Sequence, residues 1–210
     1  MGYPNSGKLR NATSLLLRQK VLKSDAKFEV CAPERNRHFG TFELSEMIIR
    51  AGKDLSKNYN RKLFLSSISD RDGGRLAPHK SHQMGVDADI AYPATSEVVK
   101  FPLVVRMSPP TFYTQNYSTK ATYELFRFLF SQNDILVDRI FVDQHIINDL
   151  CDYAKNKKEF EGIEQTEVRH MFQNLQHIHG HGDHFHLRIK CSSRDPGCRS
   201  RIYRKMDACG

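Results

Sequence analysis

In FELSEMIIRAGKDL, residues 42–55, the apolar residues Leu44, Met47, Ile48 and Ala51 recur every three or four positions, the spacing of an amphipathic helix. ATYELFRFLFSQ (121–132) repeats the pattern with Leu125, Phe128 and Leu129, so both segments are expected to lay one face on a core. RKLFLSSIS (61–69), VDADIAY (86–92), RIFVD (139–143) and HFHLRIK (184–190) are short and rich in strand formers, and QHIINDLCDYAKN (144–156) reads as a helix directly after the third of them. Strands and helices do not alternate strictly. The pattern therefore predicts an α+β fold, a small and largely antiparallel sheet with helices packed to one side, and argues against a doubly wound parallel sheet. Loops are expected at DRDGGRLAPHK (70–80) and MSPPTFY (107–113), and no internal repeat breaks the chain into units.

The 210 residues, 39% of them hydrophobic, suffice for one core, and a single domain over 1–210 is expected. No run reaches the ~18 apolar residues of a membrane helix. No signal-peptide pattern opens the chain, so the expectation is a soluble protein whose signal, if it is exported, has been removed. Lysine and arginine exceed the acids by 32 to 24, a net charge of +8 that suits any polyanion from nucleic acid to cell wall. These charges are scattered, with a denser stretch from Arg188 to Lys205. No aromatic-interleaved signature accompanies them, so no nucleic-acid partner is expected.

Four of the ten histidines crowd into HGHGDHFH (179–186): His179, His181, His184 and His186. Side chains on a strand switch face at each step, which puts Phe185, Leu187 and Ile189 on one face of 184–190 and His184, His186, Arg188 and Lys190 on the other. Two imidazoles two positions apart then project side by side. Upstream, HKSHQMGVDADI holds His79, His82, Asp87 and Asp89; Gly85 permits a tight turn, and Val86, Ala88 and Ile90 form the apolar side of a second strand. One carboxylate and one histidine from this segment with one histidine from HFH make a two-His, one-Asp set, which leaves a fourth tetrahedral position open. An open position is the mark of a catalytic rather than a structural zinc site.

SHQMGVDADI, followed about a hundred residues later by HGDHFHLRIKC, resembles the penicillin-insensitive murein endopeptidases. The wider group of zinc peptidases with lysostaphin-type enzymes, D-alanyl-D-alanine carboxypeptidases and hedgehog domains shares a His-x6-Asp and a His-x-His pattern, met here by His82 to Asp89 and by His184-Phe-His186. GYPNSGKL, RNRHFGTFEL (35–44), DGGR (72–75) and RIFVDQHIINDLC (139–151) extend the likeness over most of the chain. It implies a hedgehog/D,D-peptidase-like fold with His82, Asp89 and His186 as zinc ligands and His184 as the catalytic imidazole. His181 lines the cleft in support of catalysis, His79 is a second-site or cleft residue, and Asp87, off the family spacing, is an anchoring group behind the ligands.

The implied activity is zinc-dependent hydrolysis of peptidoglycan cross-links, between a D-alanine and the side-chain amine of a diamino acid, by a metal-activated water. With no serine nucleophile, β-lactams have nothing to acylate. Two other outcomes belong to the same scaffold: a D,D- or L,D-carboxypeptidase, and a non-catalytic zinc module that binds wall. A periplasmic or secreted location follows from the substrate. His38, His145, His170, His177 and His179 are expected to be bystanders.

Five cysteines are present, and Cys191 and Cys198 bracket the turn-rich SSRDPG, which lets them approach bonding distance. Without a Cys-x-x-Cys zinc spacing, disulfides are favoured over a thiolate site, and reduced cytosolic thiols remain the alternative from counting alone. The chain departs from the family at Lys8, where the resemblance leads one to expect a cysteine. That departure removes a bridge between amino terminus and tail, leaves Cys31 unpaired, and implies the pairs Cys191–Cys198 and Cys151–Cys209. Ligands for a second metal are not evident between residues 100 and 120, so one zinc is expected.

Overall fold

The computed structural model describes residues 2–95, 117–161, 165–200 and 208–209. The expected loop at 107–113, most of the segment searched for second-metal ligands, and the basic residues after 200 lie outside them. The chain opens with the strands β1 (Gly2–Tyr3), β2 (Ser6–Gly7) and β3 (Thr13–Ser14), the helix α1 (Leu15–Leu22), then β4 (Phe28–Val30) and β5 (Phe39–Gly40). There follow α2 (Phe42–Tyr59), β6 (Leu63–Ser67), β7 (Asp87–Ala91), α3 (Thr119–Phe130) and β8 (Val137–Val142). The last elements are α4 (Gln144–Asn156), α5 (Gln165–Gln173), β9 (Leu175–His177) and β10 (His184–Ile189).

Six of the strands form one sheet in the order β4-β6-β7-β10-β8-β9, while β1 with β2 and β3 with β5 make separate two-stranded pairs. The four central strands run antiparallel, as expected. At each edge a three-residue strand is added in parallel, β4 on β6 and β9 on β8, so the fold is α+β with a sheet that is mixed at its rims.

The alternation along β10 sets the layers. Phe185, Leu187 and Ile189 are buried in one continuous core with Ala88, Ile90, Ile140 and Val142 and with the apolar faces of α2 to α5. Phe185 meets Phe126 of α3 edge to face, ring centroids 4.9 Å apart. Removing one such ring from water stabilises the fold by about 1.5–3 kcal/mol. The helices start where local chemistry allows: the Thr41 hydroxyl accepts from the Leu44 N–H and the Ser118 hydroxyl from the Ala121 N–H, each at 3.2 Å, meeting amide groups that the first turn leaves unpaired.

The disulfides Cys151–Cys209 and Cys191–Cys198 form as expected, and Cys31 is free. Its thiol is pushed up to about 11 by burial and by Glu29, which makes it a poor nucleophile. Backbone hydrogen bonds hold the amino-terminal segment: Gly2 N–H donates to Gly197 O at 2.7 Å and Arg199 N–H donates to Gly2 O at 2.9 Å. Among the described residues no helix is long and apolar enough to cross a membrane.

Candidate active site

The face of the sheet opposite Phe185 carries the polar cluster, and strand register assembles it. In the antiparallel pairing of β7 with β10, His186 lies opposite Asp89 and Arg188 opposite Asp87; directly paired residues hold their Cβ atoms about 4.5–5.5 Å apart. His82 enters from the loop before β7. That loop turns at Gly85, whose φ is +70° and where a Cβ would come within 3.0 Å of Gly40 Cα and of Leu9.

His82 Nε2, Asp89 Oδ1 and His186 Nδ1 form a nearly equilateral triangle. The edges are 3.1 Å from His82 to Asp89, 3.2 Å from His186 to Asp89, and 3.2 Å between the two imidazoles. The far side of each ring is anchored. His82 Nδ1 donates to the Ile68 carbonyl at 2.6 Å and His186 Nε2 donates to Asp87 Oδ1 at 2.7 Å, which in the neutral rings leaves the inward nitrogens with lone pairs. Three acceptor atoms thus converge, and Asp89 Oδ1 is buried without an aligned hydrogen bond.

This is a poor arrangement for a hydrogen-bonded core and a good one for a cation. Tetrahedral zinc with ligands at about 2.0–2.1 Å has ligand-to-ligand edges of roughly 3.3–3.4 Å, close to those observed. A second nearby set, His79, His82 and Asp89, has its ligand atoms within 4.8 Å of one another, with His79 Nδ1 3.6 Å from Asp89 Oδ2. The geometry therefore fits a two-His, one-Asp metal site at His82, Asp89 and His186, with His79 against its flank.

The surroundings bias the charges. Burial works to raise the Asp87 carboxyl, but Arg188, its Nε 2.6 Å away, and His186 hold it well below the usual carboxylate range. Asp89, equally buried, is held down by His82 and His186. Two ionised carboxylates face one guanidinium. Burial disfavours a charged His186, yet the Asp87 and Asp89 carboxylates push it up to about 9, so without a metal its proton balances the second carboxylate, and a cation entering the triangle takes that proton's place. His79 and His181 are both lowered to about 4, by burial and then by the neighbouring histidines.

His184, the first residue of β10, stands just outside the triangle with Nε2 3.8 Å from Asp89 Oδ1. Burial opposes its charged form, but Asp183 and Asp89 more than offset this and raise its pKa. The His181 ring lies 4.9 Å from that of His184 and 6.1 Å from that of His186, while its backbone carbonyl accepts from Tyr92 Oη at 2.9 Å. All six residues singled out in the sequence, His79, His82, Asp89, His181, His184 and His186, are therefore brought to one site.

Two contributors were not legible. The Ile68 carbonyl that orients His82 carries no side-chain signal. Asp183, whose Oδ1 lies 2.6 Å from His184 Nδ1, precedes the strand histidine directly, and simple alternation would send it to the other face. Of the histidines set aside as bystanders, His145 pairs with Asp143 at 3.1 Å and His38 is buried on Phe39 with ring centroids 4.6 Å apart.

The chain is 27% identical over 197 residues to the penicillin-insensitive murein endopeptidase of Haemophilus influenzae, covering 87% of this chain and 63% of that protein. It is 26% identical over 183 residues to the protein of the same name from Yersinia enterocolitica, covering 82% of this chain and 61% of that one. The aligned region thus spans less than two thirds of either relative. A sequence profile of one family matches residues 2–210, the whole of the described fold and site, and on that match the chain belongs to the penicillin-insensitive murein endopeptidase family.

Proposed function

We propose that the protein is a zinc-dependent murein endopeptidase that hydrolyses peptidoglycan cross-links at the amide between D-alanine and a diamino acid's side-chain amine. The carrying observation is the acceptor triangle of His82, Asp89 and His186, with one further imidazole, His184, 3.8 Å from its Asp89 corner. Membership of the murein endopeptidase family supports the substrate class. A zinc ion held there supplies Lewis acidity, acidifying a water molecule and polarising the scissile carbonyl.

The chain's own residues do the rest. His82, Asp89 and His186 hold the ion, and the Ile68 carbonyl and Asp87 fix both imidazoles with their lone pairs inward. His184 sits where its Nε2 can take the proton of the attacking water and pass it to the leaving amine, so that one group serves both halves of the reaction. His79 and His181 wall the site as uncharged rings at neutral pH. The two disulfides suit an oxidising compartment and hence a periplasmic or secreted protein, and the net charge of +8 suits carboxylate-rich wall peptides.

Digestion of purified sacculi, with mass analysis of released muropeptides and a chelator control, tests this reading. Loss of cross-linked dimers with gain of monomers, abolished by chelator and restored by zinc, is the expected result. Loss of terminal D-alanine from monomers would make the protein a carboxypeptidase, and unchanged muropeptides would reject both.

A further inference from the structure

We infer that Asp183 is a positioning residue for His184, fixing which ring nitrogen faces the reaction and holding the ring at the edge of the metal triangle. The inference rests on the proposed reading of His184 as the proton-transfer group. Neighbouring residues on a strand point to opposite faces, so an ordinary β10 would turn Asp183 away from the site. The strand, however, starts at His184, and Asp183 lies in a bend, reached through Gly180 at a φ of +88°. That bend returns the carboxylate to the face of the residue that follows it.

The result is a chain of contacts in one direction: Asp183 Oδ1 to His184 Nδ1 at 2.6 Å, then His184 Nε2 to Asp89 Oδ1 at 3.8 Å. A carboxylate at that distance accepts a charge-assisted hydrogen bond from Nδ1–H. The proton is thereby kept on Nδ1, and the Nε2 lone pair is left facing the site. Unrestrained, the ring divides between two tautomers and rotates, and each wrong state withholds the lone pair from the water. The loop that carries Asp183 is itself held, since Tyr92 Oη donates to the His181 carbonyl at 2.9 Å. Asp183 thus does for His184 what Asp87 does for His186 and the Ile68 carbonyl does for His82, so each imidazole at the centre of the site has an acceptor behind it.

Two variants test this in the full chain, Asp183→Asn, which keeps the side-chain shape, and Asp183→Ala. On a soluble cross-linked muropeptide dimer both are expected to lower kcat by about 10–100-fold, with KM and bound zinc unchanged. In the His184→Ala background Asp183→Ala is expected to add no further loss, because it acts through that ring. Independently of activity, ¹⁵N-histidine NMR should show a His184 Nδ1–H resonance that is absent in Asp183→Ala. Parent-like kcat in both Asp183 variants, or an equal loss when Asp183→Ala is added to His184→Ala, overturns the inference. Parent-like turnover by His184→Ala instead overturns the underlying reading of the site, which keeps the two failures apart.

Discussion

His82 bears a backbone cost for the site. Its φ is +65°, a left-handed conformation that a residue with a Cβ holds only when its surroundings impose it, at about 1–3 kcal/mol. What imposes it is a set of anchors: the backbone N–H donates to Asp87 Oδ2 at 3.3 Å and the ring Nδ1 donates to the Ile68 carbonyl at 2.6 Å. None of this was legible in the sequence, where alternation along two strands put candidate histidines and aspartates on polar faces and only the family resemblance picked out His82, Asp89 and His186 among them. Mutation should separate holding from chemistry. His82→Ala is expected to lose zinc and activity together, and His184→Ala to retain zinc, measured by elemental analysis, while losing turnover. Asp87 tests the anchors. It is fully buried and joins His186 to Arg188, so Asp87→Asn should weaken zinc binding by about 10–100-fold in chelator competition and lower thermal stability as Arg188 loses its counter-charge.

At the scale of elements, length decided what could be read. The helices α2, α3 and α4 each repeat an apolar stripe over three or more turns, and the readings at 42–55, 121–132 and 144–156 fall on them. The helix α1 escaped because Leu15, Leu16 and Leu17 are consecutive and Leu15 alone of its residues is buried, which gives no helical period. The helix α5 offers Val168, Met171 and Phe172 in nine residues, too short a pattern to stand out. The edge strands β4 and β9 have three residues each and exist through pairing with longer neighbours, so their parallel direction is a tertiary property. One polar cluster ties these helices together: Glu159, after α4, accepts from Arg127 of α3 at 3.2 Å, from the Tyr123 hydroxyl, and pairs with Lys157 at 2.6 Å. Its side chain is 10% exposed, and although burial works to raise the carboxyl, Lys157, Tyr123 and Arg127 hold it below the ordinary value. A depressed folded pKa contributes stability above the unfolded pKa and loses it as pH falls through the folded one. Glu159→Gln is therefore expected to be less stable than the parent by about 1 kcal/mol at pH 7, with the gap closing below about pH 4, as read from urea midpoints across pH.

For the molecule as a whole, one sheet separates two tasks, with an apolar face closed by helices and a polar face that carries the histidine and aspartate cluster. The second task strains the first, since the polar face keeps Asp87, Asp89 and Arg188 almost wholly buried, charges that cost free energy to desolvate. Covalent closure offsets part of that cost, and the two bridges do so unequally. Cys191–Cys198 spans 7 residues and Cys151–Cys209 spans 58. In the loop-entropy account the first is worth about 2.4 kcal/mol and the second about 4.2 kcal/mol. The longer bridge also fastens the end of the chain to a cysteine in the core, Cys151 being 4% exposed, whereas the shorter one closes a surface turn. The turn has a second fastening in the hydrogen bonds between Gly2 and residues 197 and 199, which further reduces what its disulfide has to supply. Cys151→Ser is therefore expected to lower the free energy of unfolding by about 4 kcal/mol and Cys198→Ser by about 2 kcal/mol or less, measured by urea denaturation in oxidising buffer. Reductant should bring the parent down towards the sum of the two losses while leaving the Cys151→Ser, Cys198→Ser double variant unmoved. Equal losses from the two single substitutions would show that loop length does not govern how this chain is held closed.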